Sequence, residues 1–336
     1  MKVLMICGSY PPEHCGVGDY TKQLVENLKK LNVRVDTLVN INWNISKFAS
    51  IVKKVKDFEA DIIHIQYPSI NFGYSIVPQL LSLRFKTIIT IHEVSQSRMP
   101  RKLSLLPFSL SHRCIFTNKF ELAAFNKLYP WTKRDKLDVI PIGSAIRMGK
   151  ELDISDKNWN NIVSFGLIRP EKGLEDVIKL GQLIKDSNLP YVITIVGQLL
   201  EKNRDYFNEL VNKTKNLNIN WILNKSDIEI SQILAGNLIA YLPYPDGVSQ
   251  RRSSLFAVFS NKMLVFTTFG VQTTPELAEC VIEAKSPEDV ISVLTIDKRL
   301  SFAEAKINFV ADYMENISWD KIAEKHIILY NKSRLK

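Results

Sequence analysis

Short apolar runs alternate with stretches of helical period along the whole chain, and the alternation starts afresh after about residue 155. In the first round KVLMIC, VRVDTLV, DIIHIQY, KTIITIHE, RCIFTN and LDVIPIG read as strands. Between them, YTKQLVENLKKL sets Tyr20, Leu24, Leu28 and Leu31 at helical spacing, and ISKFASIVKKVKDF, YSIVPQLLSLRF and KFELAAFNKLY also read as helices. The second round has strands at KNWNNIVSFG, YVITIVG, INWILN, LIAYLPY and MLVFTT. Its helices are GLEDVIKLGQLIKD, RDYFNELVNKTKNL, DIEISQILAGN (with Asp227 as the expected cap), RRSSLFAVFSNK and PEDVISVLT. Strands alternating with helices make parallel sheets covered on both faces. The expectation is an α/β chain of two similar halves, with a boundary near 150–160, facing each other across a cleft. A helical end follows, broken near Asn316–Ser318.

The 336 residues suit two domains, at roughly 100–200 residues each. With 46% hydrophobic and 24% charged residues, the composition is that of a soluble globular protein. No apolar run approaches the roughly 20 residues of a membrane span. MKVLMICGSYPPE has a short apolar part ending in a turn, so it reads as a first strand and not as a signal peptide. Cys7, Cys15, Cys114 and Cys280 are scattered, without zinc-type spacing or a disulfide framework, which fits a reducing, cytoplasmic setting.

The net charge of +9 is uneven: residues 1–150 hold 22 Lys and Arg against 11 Asp and Glu, and the remainder 22 against 24. A one-sided field points to an acidic partner for the first half, whether a phosphorylated substrate, an anionic membrane surface or nucleic acid. Solubility is the plain alternative, and no nucleic-acid-binding module is recognisable. One stretch, SRMPRKLSLLPFSLSHR, mixes Arg98, Arg101, Lys102 and Arg113 with Leu103, Leu105, Leu106 and Phe108. It reads either as a peripheral membrane surface at the inner face of the membrane, or as core leucines under solvated charges.

SYPPEHCGVGDYTKQLVENLKK sets Gly16 and Gly18 just before a helix. A dinucleotide fingerprint needs G-x-G-x-x-G directly after the strand. Here Thr21 holds the third position, a loop with two prolines intervenes, and the acidic residue expected downstream has no counterpart but Asp36, inside a strand pattern. That argues against a nicotinamide dehydrogenase. What remains is backbone N–H groups at a helix N-terminus, suited to an anionic oxygen, or a loop that needs glycine only to turn.

SYPPEHCGVGDYTKQLVENL resembles the opening of family 4 glycosyltransferases of the GT-B fold, whose first loop reads P-P-x-x-G-G-V-x-x-Y-x-x-x-L. The resemblance continues, in order, through DIIHIQYP, TIITIHE, DVIPIG, SFGLIRPEKGLEDVIKL, TIVGQ, LPYPDGVSQRRSSL and SWDKIAEKHIILY, with IRPEKGLED the most specific part. It implies two Rossmann-like domains, an acceptor-side N-terminal one (1–155) and a nucleotide-sugar-binding C-terminal one (156–312), and a last helix, within 313–336, crossing back to the first. It also implies retention of anomeric configuration, a nucleoside-diphosphate sugar as co-substrate, and no cofactor or bound metal.

The resemblance also assigns residues. Arg169 and Lys172 would stabilise the leaving phosphate; many members carry the arginine two places earlier, where this chain has Leu167. The family's pair of glutamates falls on Asp246, near the donor sugar, and on Ser254, a shorter contact for the ribose than a carboxylate. Gly16, Gly18, Gly197, Gly247, Ser249, Ser253 and Thr268 fall on the donor side. His92 would touch the donor sugar or be a structural histidine, and Asp19, Glu93 and Tyr67 fall on the acceptor side, with Gln66 beside Tyr67. His64, inside a strand, reads as core. Two further readings stay open: a degenerate, non-catalytic relative acting as a binding partner, motivated by Ser254, and a glycosyltransferase acting on a nucleic acid.

Overall fold

The computed structural model describes residues 1–13, 15–146, 148–296 and 302–334. The chain divides into two compact units: Met1–Gly143 with Ile317–Lys336, and Ser144–Asn316. The junctions thus differ from those expected at 155 and 312. Residues 144–157 carry little periodicity, but Gly149 N donates to Asn261 Oδ1 (2.9 Å) and Glu151 pairs with Lys262, which ties them to the second unit.

The first unit holds a six-stranded parallel sheet: β1 Lys2–Cys7, β2 Arg34–Leu38, β3 Ile62–Tyr67, β4 Thr87–Ile91, β5 Arg113–Phe116 and β6 Leu137–Val139, in the order β2-β1-β3-β4-β5-β6. Alternate residues of β1 serve opposite faces, as the two-residue period of a strand dictates. Leu4 and Ile6 join one core with Ile65, Ile89 and Phe116; Val3 and Met5 join the other with Leu24, Leu28 and Ile115. The second core also takes Ile322, Ala323, Leu329 and Tyr330 from the helix Trp319–Arg334, so the end of the chain completes the unit in which the chain begins. The break between the last two helices, Ala303–Asn316 and Trp319–Arg334, lies where the sequence places it.

The second unit has β7 Asn158–Ile168, β8 Val192–Leu199, β9 Ile219–Leu223, β10 Asn237–Leu242, β11 Leu264–Thr267 and β12 Ile282–Glu283, all parallel, in the order β12-β11-β10-β7-β8-β9. Ile162, Ile193, Ile195, Ile239, Leu264 and Phe266 of this sheet share a core with Leu174, Val177 and Leu180 of the helix Leu174–Asp186. The helix Asp227–Ala235 is capped not by Asp227 but by Ser226, whose hydroxyl accepts from Glu229 N while the Glu229 carboxylate accepts from Ser226 N at 3.0 Å. Asp227 sits one position too late for its side chain to reach those amides.

Each sheet reverses its winding once: in the first unit between β1 and β3, in the second between β7 and β10. At such a switch point the loops leaving neighbouring strands diverge, and the carboxyl ends of the strands open a crevice where ligands bind.

Candidate functional site

The switch point of the second unit gathers most of the residues singled out in the sequence. Arg169 and Lys172 follow β7; Asp246, Gly247, Ser249, Ser253 and Ser254 follow β10; Thr268 follows β11; and Gly197 lies in β8 opposite Gly166 of β7. A pocket opens here, lined by the end of β7, Lys172, Ile195, Leu242, Tyr244 and Ser254.

Two glycines let these loops close in. Gly173 has φ +71°, and a Cβ there would stand 1.9 Å from the carbonyl oxygen of Pro243. Gly247 has φ +84°, and its Cβ would meet the Gly270 nitrogen at 2.3 Å. Only glycine combines the left-handed backbone with such an approach. The first contact clamps the loop that carries Lys172 onto the chain leaving β10.

The electrostatics are one-sided. Lys172 is half-buried, and desolvation, with the Arg252 and Arg169 guanidinium groups nearby, pushes its pKa down to about 8. Arg252 lies over the Tyr244 ring, 4.6 Å from its centroid, and forms an ion pair with Asp246. Its Nε is buried without a hydrogen-bond partner. Tyr244 shares a 2.8 Å hydrogen bond with the Ser254 hydroxyl, and burial raises the phenol to about 12. Lys172, Arg169 and Arg252 thus lie near one another at the mouth of the sheet, with Arg252 paired to the Asp246 carboxylate. An added anion would relieve their mutual repulsion, and the start of the helix Ser253–Ser260, which has no side-chain cap, offers further N–H donors.

Arg252 and Tyr244 went unassigned in the sequence reading. The Arg-Arg pair ahead of a helix was visible; the stacking on Tyr244 depends on how the loop after β10 folds back. Thr268 shapes this loop rather than facing the pocket: its hydroxyl donates to the Tyr244 carbonyl and its carbonyl accepts from Val248 N at 2.8 Å. Ser249 is buried, whereas Ser253 is exposed at the start of its helix.

In the first unit Gly16, Gly18 and Asp19 form the first turn of the helix Gly16–Lys30, which has no side-chain cap. Gly18 is buried against the Ser9 carbonyl, where a Cβ would approach to 2.7 Å, while the space over Gly16 is open. His92 follows β4, with Nε2 held by Gln66 Oε1 at 2.8 Å and its ring edge-on to Tyr20 at 4.9 Å. Burial and the neighbouring His326 push its pKa down to about 3, so the ring is neutral and, with Nε2 donating to Gln66, Nδ1 is its acceptor. Gln66 Nε2 in turn reaches His64 Nε2 (3.3 Å), which also accepts from the Thr90 hydroxyl (2.7 Å). His64 Nδ1 then donates to the Tyr330 hydroxyl at 2.6 Å. His64 is buried in the core, as its place within a strand suggests, and it links the last helix of the chain to His92.

Tyr67 needs a correction. It is a core residue of the first unit: its ring packs edge-on against Phe108 (4.9 Å), and its hydroxyl is engaged by Ser104 (3.1 Å) and Gln79 (3.2 Å). The parity of β3 turns Gln66 toward His92 and Tyr67 into the opposite core. The Glu93 carboxylate accepts from the Ser97 hydroxyl at 3.4 Å. Among the described residues no group of three His, Cys, Asp or Glu is placed to hold a metal ion.

No protein-family model matches the chain, and no curated protein matches it in sequence. Solved structures do match it in fold. HepE of Anabaena, in complex with UDP and glucose, is 15% identical with a TM-score of 0.71, over 99% of this chain and 100% of its own. Sucrose-phosphate synthase from Thermosynechococcus elongatus is 12% identical, TM-score 0.69, over 99% and 98%. An alpha-glucosyltransferase in complex with UDP and a 13-mer DNA containing an HMU base is 14% identical, TM-score 0.67, over 100% of both chains. At such identities the likeness is one of fold: the chain has the α/β GT-B fold that the sequence resemblance implies.

Proposed function

We propose that the chain is a retaining, metal-independent glycosyltransferase that moves a sugar from a nucleoside-diphosphate sugar to an acceptor on the cytoplasmic side of a membrane. The observation that carries this reading is the cluster Arg169, Lys172 and Arg252 at the switch point of the second unit, beside a pocket and an uncapped helix N-terminus. Neighbours of the same fold hold UDP or UDP-glucose, which makes a uridine nucleotide the first donor to try.

When the bond between the anomeric carbon and the diphosphate breaks, its electron pair stays on the phosphate. Fixed cations aimed at that growing charge stabilise the transition state more than the ground state. Lys172 and Arg169 take this role, with Arg252 behind them and the N–H groups at Ser253 and Ser254 in support. Tyr244 and Ser254 present paired hydroxyls to the ribose. Retention requires the acceptor oxygen to arrive on the face from which the diphosphate leaves. The departing phosphate oxygen is then close enough to take the acceptor proton. The first unit binds the acceptor, an acidic or lipid-linked one in keeping with its charge, and His92 contacts the donor sugar.

Thermal shift and donor turnover test this together. UDP at a hundredfold excess over its Kd should stabilise the fold by about 2.7 kcal/mol, and UDP-sugars should release free sugar or glycosylate an acceptor. Lys172→Ala and Arg169→Ala should each lower turnover by about 10²–10³ with melting temperatures near wild type. Near-wild-type turnover in both overturns the assignment. A second reading rests on Ser254 and on the Asp246 carboxylate being paired with Arg252: a relative that binds the nucleotide without transferring sugar. Stabilisation by UDP with no turnover of any donor selects it.

A further inference from the structure

The stretch 98–113 separates into two faces. Leu105 and Phe108 are fully buried, and Arg113 is buried in an ion pair with Asp138 at 2.6 Å. Met99, Leu103, Leu106 and Leu110, by contrast, are 58%, 65%, 46% and 62% exposed. Met99 and Leu103 are four apart in the short helix Met99–Leu103, and Leu106 and Leu110 four apart in the short helix Leu106–Ser109 and its cap, so each pair shares a side. The residues that the core needs from this segment are already in it, so the outer stripe is additional apolar surface. Such a row is more than the scattered single hydrophobics of an ordinary protein surface.

Its surroundings say what covers it. Arg98 is exposed, and Arg101 and Lys102 are half-exposed, within the same two turns. Trp131, 58% exposed, stands beside them with its indole N–H on the Ser109 hydroxyl at 3.3 Å. Residues 77–136 hold eleven Lys and Arg against three acids. One of the three, Glu121, is buried with its carboxylate accepting from Val94 N and Ser95 N. Apolar side chains framed by cations with an aromatic at the rim match a layer of anionic headgroups over acyl chains. Among the described residues no helix is long and apolar enough to cross a membrane, so such contact would be peripheral.

We infer that the face made by Met99, Leu103, Leu106 and Leu110 with Arg98, Arg101 and Lys102 docks this chain onto an anionic lipid surface, its leucines entering the interface. The inference stands without the transferase reading, because docking is measured with no donor present.

Sedimentation with vesicles of phosphatidylcholine, alone or mixed with phosphatidylglycerol, tests it. Wild type should bind the anionic vesicles at least tenfold more strongly, and added salt should weaken that binding. Arg98→Gln with Arg101→Gln should lower the partition by roughly 10- to 30-fold. Leu103→Ser with Leu106→Ser should lower it at least tenfold while the melting temperature is kept, since both side chains are exposed. Equal binding to neutral and anionic vesicles overturns the inference, as does wild-type partition of the leucine variant. A dimer in sedimentation velocity that the leucine variant breaks also overturns it, in favour of a second copy of the chain.

Discussion

Lys172 bears a strong electrostatic demand at the mouth of the second sheet. With its pKa lowered to about 8, it binds fewer protons when folded than unfolded between about pH 8 and its ordinary value. Stability from this group therefore rises with pH across that window. A bound diphosphate acts in the opposite direction: it favours the ammonium and raises its pKa, so binding takes up a proton above pH 8. UDP affinity should accordingly fall as pH rises through about 8, by up to tenfold per pH unit, and calorimetry in buffers of different ionisation enthalpy should register the uptake. Lys172→Met should remove both effects without lowering the melting temperature at neutral pH. A flat affinity profile in wild type would separate Lys172 from the anion. Lys172 was singled out through the resemblance of IRPEKGLED to a family motif, and it lies where that local stretch puts it, between the end of β7 and the helix Leu174–Asp186. Arg252 and Tyr244 were hidden because their stacking is a tertiary fact, and Tyr67 was misplaced because one position at a strand end decides between core and edge.

The loops leaving the strands are where this fold is least tolerant, and glycines show it. Gly173→Ala would put a methyl into the Pro243 carbonyl at a positive φ, and should cost several kcal/mol while displacing Lys172. Gly16, in the first turn of a helix with nothing near its missing Cβ, is the opposite case. Gly16→Ala should be neutral or stabilising by about 0.4–1 kcal/mol. Urea denaturation of both variants checks the pair; similar losses in each would mean that the loops yield more than their contacts suggest. Two glycines in similar-looking turns thus do different work, which spacing alone could not reveal. The strands and long helices were legible because periodicity needs only local sequence. The short strand Ile282–Glu283 and the Ser226 cap were missed because neither has a pattern of its own.

At the scale of the molecule, the first unit is built from two separated pieces of chain. Tyr20 packs against Trp319, with ring centroids 5.3 Å apart, and His64 bonds to Tyr330, so the last helix completes a core and a buried polar network together. Ending the chain after Asn316 should expose the apolar face formed by Val3, Met5, Leu24 and Leu28 and leave His64 without a partner at Nδ1. Such a truncation should show early loss of the first unit in a thermal melt, and protease cuts confined to residues before 144. An unchanged melt would mean that the helix is dispensable. The arrangement also sets an order of events during synthesis. The ribosome makes the bulk of this unit first, and its closing helix only after the whole of 144–316. At ~5–20 residues per second that is a wait of roughly 10–35 s. Throughout it the nascent sheet lacks the cover of Ile322, Ala323, Leu329 and Tyr330 on one apolar side, which makes the growing chain a natural client for a chaperone until that helix emerges.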